Sequence, residues 1–253
     1  MNYSKFLYVV AFATVLFTAC GNDSSTSANN SNDGDNSSKS SSSQRSVSSS
    51  SNKVTEPVEV TVGSMKDSRD GHTYKTVTIG SQTWMAENLN YETANSYCYN
   101  DNASNCTKYG RLYAWAAAVG RSESDCGYGY ACPLPSGNIQ GVCPSGWHLP
   151  TRTEWNTLFN AVGGYTVAGT KLKSTSGWYN SGNGTEAFSF SALPAGYRDD
   201  LGYSYEGFSA YFWSSTEYGS YYAYIMYLGY YNDDAYLDGS FKNYGFSVRC
   251  LQD

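Results

Sequence analysis

Residues 143–164, CPSGWHLPTRTEWNTLFNAVGG, contain a complete helix with both ends written in. Thr151 is a natural N-cap, because its hydroxyl can accept from an orphan N–H of the first turn. Glu154 stands three residues on, where its carboxylate can reach back to the cap N–H and complete a capping box. Trp155, Leu158, Phe159 and Val162 follow at i, i+3, i+4 and i+7 and make one apolar stripe. Gly163 and Gly164 then stop the helix, since glycine readily takes the left-handed conformation of a C-terminal cap. Upstream, Pro150 closes an extended approach and Trp147 offers a large apolar side chain. Cys143 at the front can tie the whole unit to another part of the chain.

Working outward, residues 74–85 read as a hairpin. Val77 and Ile79 share one face, Gly80-Ser81 suits a two-residue turn, and Trp84 lies on the return strand. Residues 67–71 are a turn-rich lead-in, and His72 reads as a loop polar residue rather than a ligand. Residues 109–119, YGRLYAWAAAV, are expected to form a second helix, with Tyr109, Leu112, Tyr113 and Ala116 on one face and Gly120 beyond it. Residues 122–140 read as loop. Residues 188–193 are expected to be a short strand ending at Pro194. Residues 210–214, 221–228 and 244–251 read as strands of a meander; in the last, Phe246, Val248 and Cys250 alternate with Ser247 and Arg249. Helices mixed with a hairpin and short strands make the class α+β.

The N-terminal side is different in kind. Residues 1–20 read as a signal peptide, with Lys5 as its charge, an apolar run from Phe6 to Phe17, and Thr18-Ala19-Cys20 at its end. The run is shorter than the roughly 20 residues of a membrane span. The placement of Cys20 resembles the lipobox of bacterial lipoproteins, although Phe17 is bulkier than the usual residue there. That resemblance implies lipidation of Cys20 and a membrane attachment; the alternative is an ordinary cleaved signal. Residues 21–53 are almost wholly Ser, Asn, Asp and Gly, cannot bury enough surface to offset ordering entropy, and are expected to be a disordered tether. Residues 54–65 are a linker or edge strand, and 66–253 a single folded domain.

Composition points the same way. Hydrophobic residues are 40% and charged residues only 15% of the chain, which suits an exported protein. The net charge of −6 gives no basic face for a phosphate backbone, so nucleic acid is not an expected partner.

Beyond Cys20 there are six cysteines, which allow fifteen pairings. An even set in an exported chain is most simply a three-disulfide frame. Cys98 with Cys106 and Cys126 with Cys132 close short Asn- or Gly-rich loops, which leaves Cys143 with Cys250. No C-x2-C spacing occurs, and the chain has 2 His, so a zinc site is not expected.

Seven strings then fall in order: DSRDGHTYKTVTIGSQTWMAENLNY, KYGRLYAWAAA, CPSGWHLPTRTEW, GTKLKSTSGW, FSALPAGYRD, FWSSTE and GFSVRCLQD. Together they resemble the Fibrobacter succinogenes major paralogous domain family over residues 66–253. Members of that family are typically exported lipoproteins with Ser-rich tethers, and their molecular function is not established. More distantly, WHLPTRTEW is similar to the RLPTEAEWE box of formylglycine-generating-enzyme domains. That likeness implies a C-type-lectin-like fold: two helices flanking a twisted antiparallel sheet, with the N- and C-terminal strands adjacent. The cysteine chemistry of those enzymes does not carry over, because each cysteine here has a structural partner in prospect.

The expected function is a non-catalytic binding or adhesion module for polysaccharide or a surface partner, displayed at an outer membrane or cell surface. Of the 25 Tyr, 13 lie from residue 197 to residue 244, among Gly, Asn and Asp. Tyrosine gives a broad apolar face with a hydroxyl at its edge, but it is also a good strand former that fills half-buried sheet positions. Tyr221, Tyr222, Tyr230, Tyr231 and Tyr236 flank the most turn-like segments and are the expected exposed rings. No cofactor is expected; Asn232, Asp233, Asp234 and Asp238, with Glu217 nearby, are weak calcium candidates whose spacing matches no EF-hand loop. A structural envelope component is the alternative. An enzyme is a second alternative, but His148 with Glu154 is accounted for by the helix start, and residues 214–217 match no nucleophile elbow.

Overall fold

The structure is a computed structural model that describes residues 58–253. The expected signal peptide with Cys20, the tether of residues 21–53 and residues 54–57 lie outside the described residues.

The central helix forms as its sequence dictates. In chain order, β1 is Val60–Lys66, β2 Thr73–Ile79, β3 Gln82–Met85 and β4 Ser96–Tyr97. A 3-10 turn at Tyr99–Asp101 leads to α1 Ala103–Tyr109, β5 Leu112–Tyr113, α2 Trp115–Ala118, α3 Glu123–Cys126, β6 Trp147–His148 and α4 Arg152–Ala161. The Thr151 hydroxyl accepts from the Glu154 N–H at 3.2 Å, and the Glu154 carboxylate accepts from the Thr151 N–H at 2.7 Å. Trp155, Leu158, Phe159 and Val162 are all buried. Gly163 and Gly164 take φ of 106° and 101°, and the chain turns directly into α5 Tyr165–Leu172. No apolar stripe announces α5. Its Gly169 is required by a close approach, since a Cβ there would stand 2.3 Å from the Asp234 carbonyl oxygen.

The remaining strands are β7 Ala195–Asp199, β8 Gly202–Glu206, β9 Ser209–Glu217, β10 Tyr222–Gly229, β11 Ala235–Phe241 and β12 Leu251–Gln252. They make two five-stranded sheets, ordered β1-β2-β3-β12-β6 and β11-β10-β9-β7-β8. The chain is thus α+β, with two large sheets and a two-stranded one, β4-β5, where one sheet was expected. The 74–85 hairpin is present, with Gly80 at φ 61° in its turn. Residues 54–65 contribute an edge strand, β1, paired only to β2.

Three expectations are corrected. Residues 109–119 are not one helix: Gly110 caps α1 at φ 72°, β5 intervenes, and only Trp115–Ala118 is helical. A Cβ at Gly110 would meet the Leu89 carbonyl oxygen at 2.8 Å, so the glycine ends the helix where the chain passes tightly. Residues 188–193 are not a strand; Ser189 and Ser191 have φ of 54° and 52°, and only Ala192 makes a ladder contact, with Lys173. Residues 244–251 are not one regular strand either. Gly245 bonds Arg198, Phe246 bonds Tyr113, Ser247 bonds Tyr211 and Trp213, Val248 bonds Leu89, and Cys250 bonds Met85. The segment therefore threads between the two sheets, and all of Gly245–Leu251 is buried, the polar Ser247 and Arg249 included.

Two large apolar clusters result, with a small third of Tyr99, Tyr109, Leu112 and Ala195. One large cluster holds Trp84, Trp155, Phe190, Phe212, Met226 and Leu228 around α4; Trp84 and Trp155 are 4.5 Å apart. The other holds Trp115, Trp213, Ile225, Phe246 and Val248. Disulfides join Cys98 to Cys106, Cys126 to Cys132 and Cys143 to Cys250. The last bolts the approach to α4 onto the threading segment, across 107 residues of chain.

Candidate binding surface

The second sheet carries the tyrosines. Antiparallel register places Tyr211 of β9 opposite Tyr227 of β10, and Tyr227 opposite Tyr236 of β11. Cross-strand neighbours on one face interact directly. Here Tyr211 and Tyr227 stack at 4.9 Å and Tyr227 and Tyr236 at 5.8 Å. The row continues through Phe246, stacked on Tyr211 at 5.0 Å, to Tyr197, which stacks on Tyr205 at 5.6 Å and on Tyr244 at 5.7 Å. Trp213 and Ile225, on the same face further along, are buried in the core. The ladder is the point where that core runs out to the surface.

Stacking uses up the faces of the inner rings, so they present edges and hydroxyls. Burial pushes the Tyr211 phenol up to about 12, and burial together with a bond to Tyr231 raises that of Tyr227. The Tyr236 phenol is raised chiefly by its bond to Asp234. All three stay protonated and able to donate at neutral pH. Exposure is greatest toward the ends, at Tyr205 and Tyr231, which are 55% and 61% exposed.

Of the five tyrosines singled out from sequence, Tyr221 and Tyr231 are exposed and Tyr222, Tyr230 and Tyr236 are half-buried, and the fold does not bring them together as one site. Tyr221 lies against Tyr128 and Tyr222 stacks on Phe241. Tyr230 packs on Tyr179 and Phe208. Only Tyr231 and Tyr236 reach the ladder, Tyr231 through a 3.1 Å bond between its hydroxyl and that of Tyr227. Turn chemistry could find exposed rings. It could not find Tyr197, Tyr211 and Tyr227, whose alignment depends on strand register.

The calcium candidates are dispersed. Asp233 accepts from the Thr170 hydroxyl, Asp234 accepts from Tyr236 at 2.8 Å, Asn232 donates to Tyr236 at 2.7 Å, and Asp238 accepts from the Gly239 N–H at 2.7 Å. Glu217 is bonded to the buried Lys242 ammonium and to the Cys132 N–H. Among the described residues no group of three or more His, Cys, Asp or Glu is placed to hold a metal. His148 and Glu154 do meet, at 3.0 Å, but His148 is buried and its other nitrogen is held by Asp253 at 2.7 Å. Glu154 is also occupied at the helix cap. Ser214 is buried, its hydroxyl accepting from the Thr216 N–H.

These features define a disulfide-stapled α+β domain with a tyrosine-lined sheet face. The Fibrobacter succinogenes major domain matches residues 77–252, and the chain belongs to that family. No curated protein matches the chain. No solved structure matches it.

Proposed function

We propose that this protein is an exported, lipid-anchored, non-catalytic binding module, and that the tyrosine ladder is its contact surface for polysaccharide. One observation carries the reading. Among the described residues upstream, Tyr74, Tyr99, Tyr109 and Tyr113 are buried and Tyr91, Tyr97, Tyr128, Tyr130, Tyr165 and Tyr179 are not, whereas none of the 13 tyrosines from residue 197 to residue 244 is buried. Rings serving only as core would be buried like the upstream four. Rings that remain half-exposed, aligned and bonded through their hydroxyls offer area at small entropic cost. The ladder meets a ligand by edges and hydroxyls, with Tyr205 and Tyr231 its most exposed rings.

The antiparallel pairing of Leu251 with Trp84, beside the first hairpin, supports a C-type-lectin-like fold. The leader with Cys20, and the Ser-rich stretch after it, support attachment at an outer membrane or cell surface. The test is a pull-down of the full chain on a panel of soluble and insoluble polysaccharides, with and without calcium. Substituting Tyr205, Tyr227, Tyr231 and Tyr236 by Ala is expected to weaken binding about tenfold or more. Binding unchanged by those substitutions removes the ladder as the surface, and absence of binding to every polysaccharide favours the structural envelope reading.

A further inference from the structure

We propose that a groove separate from the tyrosine ladder binds an acidic saccharide unit, a ligand carrying a carboxylate among hydroxyls. The groove has a volume of about 870 Å³ and opens between β2, the chain after β3, the last turn of α1 and the loop around residues 186–193. No exposed Tyr or Trp lines it. Its wall is mixed: Val62, Ala86 and Leu193 stand beside hydrogen-bonding groups, among them Thr73, Asn90, Thr107 and Ser191.

The loop in its wall is strained. Glu186, Ser189 and Ser191 have φ of 51°, 54° and 52°, the left-handed region that non-glycine residues avoid. All three line the groove. Such backbone persists only where the surroundings over-determine it, and it gathers at ligand sites. Here Arg249 is the clamp: it donates to the carbonyl oxygens of Phe190 and of Ser191, the latter at 2.8 Å. The Phe190 ring meanwhile is fixed in the core against Trp84 and Trp155.

The clamp makes no ion pair. Arg249 is fully buried, and its bonds go to Asn88 Oδ1 and the two carbonyls, all neutral acceptors. Burial draws its pKa down to about 9, and Glu87 and Glu186 in the groove wall act on it in the opposite sense. Both carboxylates have other engagements: Glu87 accepts from the Lys75 N–H at 2.8 Å, and Glu186 accepts from the Ser191 hydroxyl. A buried cation hydrogen-bonded only to neutral acceptors, with its nearest carboxylates bonded elsewhere, favours a further anion nearby.

The guanidinium is not exposed, so it would act on a bound carboxylate through its field. Contact would come from Lys75 and Lys108, whose side chains are 74% and 58% exposed. Their pairings with Glu87 at 3.8 Å and Glu206 at 3.7 Å are long and open to solvent, and such pairs are weak. The groove also offers neutral partners. Asn90 and Thr107 line it with hydrogen-bonding side chains that ligand hydroxyls can meet. One carboxylate with neighbouring hydroxyls suits both.

Calorimetry on the full chain with galacturonic acid and its short oligomers, against galactose and its oligomers, tests this. The acidic series is expected to bind about tenfold more tightly than the neutral one, with the advantage shrinking as salt is raised. Lys75→Ala with Lys108→Ala is expected to abolish the preference, and Tyr231→Ala to leave it intact. Both lysines are exposed, and circular dichroism checks that the double variant is folded. Equal affinity for the two series, no binding of the acidic series, or a preference that survives the lysine variant each overturns the proposal.

Discussion

His148 is a buried imidazole gripped on both nitrogens, by Asp253 at 2.7 Å and Glu154 at 3.0 Å. Burial alone would lower its pKa. Its bonds to the two carboxylates outweigh burial, and the value rises above 6.5. The folded state therefore holds the proton more tightly than the unfolded chain. That stabilisation is complete below about pH 6.5 and is lost as pH climbs through the raised folded value. Glu154 runs the other way: burial raises it, its bonds to His148 and Thr151 outweigh burial, and the value falls below 4.5. Its stabilisation is present above about pH 4.5 and is lost as pH falls through the lowered folded value. The melting temperature should thus fall as pH rises above about 6.5, and His148→Gln should flatten that alkaline limb. An alkaline limb equally steep in the variant would assign the slope to other groups. The capping role of Glu154 was legible from its spacing to Thr151. The second partner of His148 was not, because Asp253 is brought there by the β6–β12 pairing.

At the scale of elements, α4 is stabilised by one apolar stripe. Trp155 is fully buried and touches Trp84, Phe190 and Phe212. Trp155→Ala should cost roughly 3–5 kcal/mol in chemical denaturation; a near-neutral result would mean that the stripe is not a core contact. Opening the Cys143–Cys250 bond should cost on the order of 4–5 kcal/mol in the chain-entropy account, given its long loop. Replacing both cysteines by Ala and repeating the melt checks it, and loss of the Cys98–Cys106 bond, with its short loop, should cost less. Helix α4 could be read because cap, stripe and stop are all local. Residues 109–119 could not: their apolar spacing fits a helix, but close packing at Gly110 and the pairing of Tyr113 with Phe246 divide the segment. Alternation misled in residues 244–251, since a segment enclosed between two sheets buries both of its faces.

For the whole molecule, the proposed attachment and the proposed recognition are separable. Cys20→Ala should move the protein from the membrane fraction to the soluble fraction and abolish metabolic lipid labelling. An unchanged membrane fraction with no lipid label in the parent chain would remove the anchor. The same variant should keep its polysaccharide binding, because the tyrosine ladder belongs to the folded domain. Intact-cell protease accessibility of that domain then reports the side of the membrane on which it is displayed.

Some properties of this chain follow from residues a few positions apart: the capped helix, the first hairpin, the two short disulfide loops, the polar tract after Cys20. Local sequence determines them because caps, turns and small loops depend on dihedral preferences and on groups within reach of each other. Even the Cys143–Cys250 pairing follows by elimination once the short loops are closed. The ladder and the groove are of another kind. Tyr211, Tyr227 and Tyr236 stack because strand register sets them side by side, and a shift of one residue would turn each ring to the opposite face. Arg249 is a buried cation hydrogen-bonded only to neutral acceptors because its segment passes between two sheets. Side-chain chemistry was written in the sequence, but which side chains share a surface was decided by long-range pairing.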